Sequence, residues 1–341
     1  MNKRYCFLAI TFALALILFS ALASKVYFHD SGEYITIAKN FAGIKNVNLF
    51  ITHPILYPFI LSFLIKILPG FTGLNLANVF WIFMLGLSIL FYLKNERLFL
   101  LFALSPLTWY VGIQTTPILP ASFFFFWAYV LFKKSDLKHS RLLSGLALGL
   151  SSAIYTPMIL VSMIFIPIYF WESNFKEFIK YSLAWAVGFT PGLLLEYYLF
   201  KMPFYSLIRY AGANLLITLG LREGTGNIQF LNTGALVFTI FFVISPFLFK
   251  IYKEDLNKKK YDLIFLSLVF LLFLVRGGLL KYFLVISVPL LMILEERLSD
   301  KEIKWHCLIA IPLIILLTFG FFGHTEDYQI GKDMAKITVD Y

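Results

Sequence analysis

The sequence predicts an all-α polytopic membrane protein with about eleven transmembrane helices, and three observations predict it. Hydrophobic residues make up 60% of the 341 residues, charged residues make up only 14%, and the mean hydropathy is +0.81. A water-soluble chain of 39.3 kDa has too little interior to bury that much apolar surface, so lipid must solvate much of it. The apolar residues also come in runs of near-span length, separated by short polar segments.

These runs mark the candidate spans in order. The first, residues 5–24, has the charged start of a signal peptide and a small-residue ending at Ala21–Ala23, but its length favours an uncleaved anchor. The other candidates are 74–93, 98–113, 118–134, 142–156, 158–171, 180–200, 233–250, 261–275, 278–294 and 305–323. We therefore expect one transmembrane domain over residues 1–323, followed by a short outer tail over residues 324–341.

The apolar segment 54–69 is the exception to this series. It contains Pro58 and Lys66 and barely reaches across the hydrocarbon layer, so we expect a helix that lies at the outer interface. If it crossed the membrane, every later segment would be inverted and the basic residues of 133–141 would lie outside. The first outer loop then covers residues 25–73, and a second long outer loop covers residues 201–232.

The distribution of charge sets the orientation. The formal net charge of +10 comes from short basic clusters between apolar spans, which is typical of cytoplasmic loops and not of a nucleic-acid surface. With the N-terminus inside, the inner segments hold 18 of the 29 Lys and Arg residues, in clusters at 3–4, 94–97, 133–141, 176–180, 250–260 and 297–304. We therefore expect a multi-pass protein of the cell membrane with a cytoplasmic N-terminus, an outer C-terminal tail and no nucleic-acid partner.

The first outer loop opens with an acidic pair, Asp30 and Glu33, directly after the first span. The pair is three residues apart and shares a helix face, and Tyr34, Ile37 and Phe41 form an apolar stripe that we expect to rest on the lipid surface. Two interpretations stay open. The pair is either a variant of the capping box or a pair of carboxylates that meets the headgroup of a lipid-borne substrate.

Other polar residues at the outer rim have similar pairs of interpretations. His53 precedes a proline suited to a first helical turn, so it is either an interfacial residue or a phosphate contact at a helix start. Glu196, near the outer end of its span, either faces a protein-lined cavity or reaches the interface. The cations outside the inner clusters either bind phosphate or extend to the interface; the candidates are Arg209, Arg222, Arg276 and Lys281.

The order of these features resembles a known family. A first span, then Asp-x-x-Glu-Tyr-x-x-x-Ala, then about 15 residues and His-Pro-x-Leu-Tyr-Pro resembles the GT-C glycosyltransferases that use polyprenyl-phosphate sugars. The nearest branch contains the protein mannosyltransferases, the aminoarabinose transferase of lipid A and the Rgt-type transferases. The resemblance is a motif only over residues 29–58, and a pattern of spans over most of the chain.

The resemblance implies that a sugar moves, with inversion, from a polyprenyl-phosphate carrier to a glycan, lipid or protein acceptor on the outer face. It implies Asp30 as general base, Glu33 as its helper, and a phosphate-binding cation near Arg276 or Lys281. Family members often carry a second acid in the second outer loop, whereas residues 112–120 contain none. Either Glu33 serves alongside Asp30 or the site is altered, and we expect no divalent metal and no cofactor.

Two alternatives stay open at this point. One is a non-catalytic relative or partner subunit, which the missing second acid keeps possible. The other is a lipid or solute transporter, although such proteins usually place ionisable groups or broken helices near the middle of the membrane. Here the charges concentrate at the outer rim, and no inverted repeat is visible.

Overall fold

A computed structural model describes the chain over a set of ranges with short gaps between them. The described residues are 3–22, 29–44, 53–67, 70–112, 114–133, 137, 139–170, 174–218, 260–275 and 280–315. Every regular element within these ranges is a helix, which confirms the all-α prediction for this part of the chain.

The helices are numbered in chain order. They are α1 Lys3–Leu22, α2 His29–Phe41, α3 Leu56–Ile67, α4 Gly70–Leu87, α5 Glu96–Ala103, α6 Pro106–Gly112, α7 Ile118–Lys133, α8 Ser140–Ile154, α9 Pro157–Phe170, α10 Phe175–Phe200, α11 Tyr205–Thr218, α12 Lys260–Val275, α13 Leu284–Glu295 and α14 Asp300–Ile315. A π-helical turn, Ser88–Tyr92, follows α4, and a 3-10 turn, Leu280–Phe283, precedes α13.

Two of these helices are long and apolar enough to cross a membrane. They cover Lys3–Ser20 and Phe175–Phe200, while several other apolar helices have only 10–17 residues. The described part of the chain therefore has two candidate membrane helices, and the eleven-span arrangement stays a prediction. The predicted span 233–250, the tail 324–341 and much of the loop 201–232 lie outside the described residues.

One predicted span differs in detail from the structure. Residues 98–113 were expected to form a single segment, but α5 ends at Ala103 and α6 begins at Pro106. Proline has no amide hydrogen and fits the first position of a helix, so the chain breaks and restarts at this point.

The chain forms two compact units. The first contains residues 1–48, 58–119 and 288–341, and the second contains residues 49–57 and 120–287. In the first unit, Trp109 is the centre of an aromatic cluster. Its ring lies edge-on to Phe19 at 4.6 Å and to Phe12 at 6.3 Å, and its indole nitrogen donates to the Ala103 carbonyl at 2.6 Å. These contacts attach α1 to the short helices α5 and α6.

The second unit is built on the close packing of α8 against α10. A Cβ atom on Gly145 would lie 2.8 Å from the Tyr181 carbonyl oxygen, and one on Gly192 would lie 3.2 Å from the Ala153 side chain. Residue numbers rise together along this contact, so the two helices run parallel. Small residues of this kind let helix backbones approach closely in a membrane.

An ion pair with a buried carboxylate and an aromatic cluster hold α7, α9 and α12 together in the same unit. The Lys133 ammonium lies 2.6 Å from the Asp262 carboxylate, and the Tyr169 hydroxyl donates to that carboxylate as well. The Phe165 ring contacts the Phe265 ring at a centroid distance of 5.3 Å. The sequence predicted Lys133 as part of an inner basic cluster and the other positions only as parts of apolar spans.

Candidate functional site

The acidic pair lies at the beginning of α2. The helix starts at His29, so Asp30 lies within its first turn. The Asp30 side chain lies outside the described part of the structure. Glu33 follows one turn later and is half-buried. Both carboxylates therefore occupy the end of α2 where the helix dipole favours negative charge.

The apolar stripe of α2 is inside the protein. Tyr34 and Ile37 are 2% and 1% exposed, and the Phe41 ring packs edge-on to Phe59 at 5.4 Å. The expectation that this stripe rests on the lipid surface is therefore wrong for Tyr34 and Ile37. The stripe packs against protein because α2 belongs to the core of the first unit, which fixes the acidic pair on a rigid helix.

The second outer loop meets the start of α2. The Ser31 hydroxyl donates to the Thr115 carbonyl at 2.9 Å in a buried contact. Gln114 is fully buried, and its amide nitrogen donates to the Tyr110 carbonyl at 3.2 Å, whereas its amide oxygen finds no hydrogen-bond partner among the described residues. The loop that lacks an acid thus contacts the first turn of α2 through Thr115, and the neighbouring Gln114 contributes a buried amide. In the sequence, this loop was notable only because it contains no acidic residue.

Glu196 is the most deeply buried of the predicted acids whose side chains are described. It is 5% exposed, and it accepts hydrogen bonds from the hydroxyl and the amide of Ser206, the latter at 3.4 Å. Ser206 lies in the first turn of α11, so the carboxylate also caps that helix. A turn with left-handed backbone at Lys201 and Phe204 joins α10 to α11 and makes this contact possible. The expectation that Glu196 faces protein is consistent with this geometry.

A small cavity adjoins the Glu196 carboxylate. Its lining includes Pro54, Ser152, Thr156 and Ser206, and about 10 Å³ is open to the centre of a water molecule. That volume fits one water molecule. The Thr156 hydroxyl is buried at this cavity and finds no hydrogen-bond partner in the described part of the chain. A carboxylate and a threonine hydroxyl therefore line the same small volume.

The His-Pro segment and Arg209 lie near the same helix junction. The half-buried His53 ring is 6.0 Å from the Tyr210 ring of α11, and Pro54 lines the cavity beside Glu196. The Arg209 guanidinium donates to the Tyr205 hydroxyl at 2.6 Å. Each of the three predicted residues is thus linked to α11: His53 through the Tyr210 ring, Glu196 through Ser206, and Arg209 as a residue of that helix.

Lys281 is also buried in the second unit. It is 6% exposed, and its ammonium lies 5.8 Å from the centroid of the Tyr282 ring. The Tyr282 ring in turn lies 6.3 Å from the ring of Tyr155, the residue before Thr156 in the turn between α8 and α9. A buried ammonium beside aromatic rings can receive an anionic group. Arg276 and Arg222 lie outside the described residues.

Several residues at this site were missed from the sequence. Ser206, Tyr205, Thr156 and Tyr155 gave no signal, because hydroxyl and aromatic residues are common in apolar helices and turns.

Tyr57 of the first-loop motif is fully buried, and burial raises the pKa of its phenol above the ordinary range. Among the described residues, no three His, Cys, Asp or Glu side chains are grouped so that they could hold a metal ion.

The described polar residues thus form two sets, one in each unit. The first set is the start of α2 with Gln114 and Thr115, and the second set is Glu196, Ser206, Thr156, His53 and Arg209. Comparison with known proteins found no family model, curated protein or solved structure that matches the chain.

Proposed function

We propose that this chain is a multi-pass membrane glycosyltransferase that moves a sugar from a polyprenyl-phosphate carrier to an acceptor on the outer face of the membrane. The first-loop resemblance supplies the reaction class. The proposal includes the GT-C-like arrangement of about eleven spans, a cytoplasmic N-terminus and an outer C-terminal tail.

The observation that carries the proposal is the gathering of His53, Glu196 and Arg209 at the α10–α11 junction. A phosphate-linked sugar needs cationic or neutral donors for its phosphate and acceptors for its hydroxyl groups. At the junction, Arg209 and His53 are donors for a phosphate, and the buried Glu196 carboxylate is an acceptor for sugar hydroxyl groups. A buried ionisable group in an apolar protein is costly, so the burial of Glu196 near the end of a candidate membrane helix supports a binding role.

In the proposed reaction, Asp30 is the general base. Its carboxylate takes the proton of the acceptor hydroxyl while the hydroxyl oxygen attacks the anomeric carbon with inversion. The bond between the anomeric carbon and the phosphate oxygen breaks, and the carrier phosphate leaves with the electron pair. A base of this kind contributes roughly 10²–10⁴-fold to the rate. Glu33 orients Asp30 or the acceptor.

The cations and the second carboxylate have supporting roles in the proposal. Lys281, Arg276 and His53 stabilise the negative charge that develops on the leaving phosphate. Arg209 and Arg222 bind the phosphate or the sugar from the second long outer loop. Glu196 accepts a hydrogen bond from a sugar hydroxyl or from a water molecule in the adjoining cavity. The lipid-linked sugar is the donor in this proposal, and because residues 112–120 contain no second acid we expect no divalent metal and no other cofactor.

The test is transfer by the purified protein from a polyprenyl-phosphate sugar to a hydroxyl-bearing acceptor. Asp30→Asn is expected to abolish transfer because the amide cannot accept the proton, while the amount of protein in the membrane stays unchanged. Asp300→Asn is the matched control, since that side chain is 83% exposed at the start of α14, and it should transfer at the wild-type rate. Retained activity in Asp30→Asn would refute the assignment of the base.

One observation favours a second candidate, a non-catalytic relative that binds the lipid-linked sugar as a partner subunit. The second outer loop contacts α2 through Gln114–Thr116 but contains no acid. Such a protein would bind the carrier-linked sugar and leave it intact. A transporter would instead move the carrier across vesicle membranes without breaking the sugar-phosphate bond, so the same purified protein distinguishes the three functions.

A further inference from the structure

A second cavity lies at the other end of α10 from Glu196. Its volume is about 360 Å³, and it lies at the N-terminal ends of α8 and α10. His139, Arg141 and Lys180 line it as basic side chains, and Glu177 lines it as the acidic one. All of these residues belong to the second unit.

The parallel packing of α8 and α10 makes this end of the unit attractive to anions. Because the helices run in the same direction, the amide groups and the positive ends of both helix dipoles meet at one place. Arg141 lies in the first turn of α8, where the dipole disfavours a cation. An anion in the cavity would neutralise the positive charge at both helix ends and the charge of Arg141.

The side chains around the cavity leave donors for such an anion. The Lys180 ammonium is 2.9 Å from the Glu177 carboxylate, but its side chain is still 49% exposed. The exposed Arg141 guanidinium lies 5.9 Å from the centroid of the Phe132 ring, a contact that leaves the N–H groups at its edge open to solvent. Ser140 is only 3% exposed and lines the same cavity, so its hydroxyl is a further donor beside the two cations.

Apolar surface beside the cavity indicates what carries the anion. Leu142, which lines the cavity, is 39% exposed, and Leu143 and Leu183 nearby in the chain are 48% and 61% exposed. The cavity also includes the second turn of α10, one of the two helices long enough to cross a membrane. A ligand here therefore meets basic groups and exposed leucines at the level where lipid headgroups lie.

We propose that this cavity binds the phosphate group of an anionic phospholipid headgroup. Arg141 would pair with two phosphate oxygens, Lys180 would contribute a point charge, and the Ser140 hydroxyl would donate a hydrogen bond. The exposed leucines would contact the acyl chains. The inference requires that α10 enters a membrane, but it is independent of sugar transfer.

The test uses the full-length protein in detergent, titrated with phosphatidylglycerol or with phosphatidylcholine of the same acyl chains. Native mass spectrometry gives the affinity for each lipid. We expect the wild type to prefer phosphatidylglycerol, and we expect Arg141→Gln and Lys180→Gln each to weaken its binding about fivefold. Lys176→Gln is the matched control, because Lys176 is exposed on the same helix and does not line the cavity.

Three results would overturn the proposal. Equal affinity for the two lipids would exclude recognition of the anionic headgroup, and equal losses in Lys176→Gln and Arg141→Gln would place the binding elsewhere. Inorganic phosphate alone is the third probe. If it binds the wild type as tightly as the lipid and depends on the same two cations, the site takes free phosphate and the leucines have no part in it.

Discussion

Substitution of Gly149 by alanine tests whether close contact between α8 and α10 determines the second unit. A Cβ at this position would overlap the Trp185 carbonyl and would lie 2.9 Å from the backbone of Gly188. Because the obstruction is backbone, it cannot move as a side chain would, and the helices must separate. Overpacking of this kind typically costs about 1–3 kcal/mol.

A matched control is present in the same unit. Gly212 lies within α11, and a Cβ there would meet nothing within 4 Å. Alanine is favoured over glycine in a helix by about 1 kcal/mol, so Gly212→Ala should be neutral or stabilising. The same intrinsic gain applies to Gly149→Ala, so the difference between the two variants isolates the cost of the lost helix contact.

The assay is thermal unfolding of both variants in one detergent, followed by tryptophan fluorescence. We expect the midpoint of Gly149→Ala to fall several degrees below that of the wild type. Gly192→Ala should give an intermediate result, since its Cβ would lie 3.2 Å from the Ala153 side chain. If Gly149→Ala and Gly212→Ala melt together, the close approach of α8 and α10 does not stabilise the protein, and the reasoning is wrong.

Two further predictions concern buried carboxylates. Glu196→Gln should reduce sugar transfer about tenfold or more, because a hydrogen bond to a charged group contributes roughly 1.5–3 kcal/mol. The control is Glu302→Gln, at the surface of α14. If Glu196→Gln transfers sugar at the wild-type rate, the role of Glu196 is restricted to capping α11. Asp262→Asn should lower the free energy of unfolding by about 1–3 kcal/mol, because it leaves Lys133 without its ion pair although that side chain is 37% exposed. Equal stability of Asp262→Asn and the surface variant Asp300→Asn in denaturant titrations would contradict this.

Some of the fold and the site could be predicted because they depend on composition and local pattern. The apolar runs predicted helices, and helices are what the described residues form. The acidic pair was predicted on one helix, and α2 contains both Asp30 and Glu33. Local periodicity is enough for these conclusions because backbone hydrogen bonds within a helix join residues only four positions apart.

Other features could not be predicted because they depend on contacts between distant segments. Tyr34 and Ile37 form an apolar stripe whether lipid or protein covers them, and only the packing of α2 showed that protein does. Gln114 was notable in the sequence only because its loop contains no acid, yet its side chain is buried next to Thr115, whose carbonyl accepts a hydrogen bond from Ser31. The pairing of Ser206 with Glu196 likewise depends on the direction of the turn after α10.

The sequence by itself determined that this is an apolar, helical chain with an acidic motif after its first hydrophobic segment. These properties follow from residue type and spacing along the chain, because apolar residues avoid water and the helix period decides which of them share a face. Only the tertiary structure decided that His53 and Glu196 contact the same helix, α11, that contains Arg209, and that α8 and α10 run parallel with their basic ends together. Such neighbours arise from side-chain packing between segments far apart in the chain, and helical periodicity contains no information on which segments pack together.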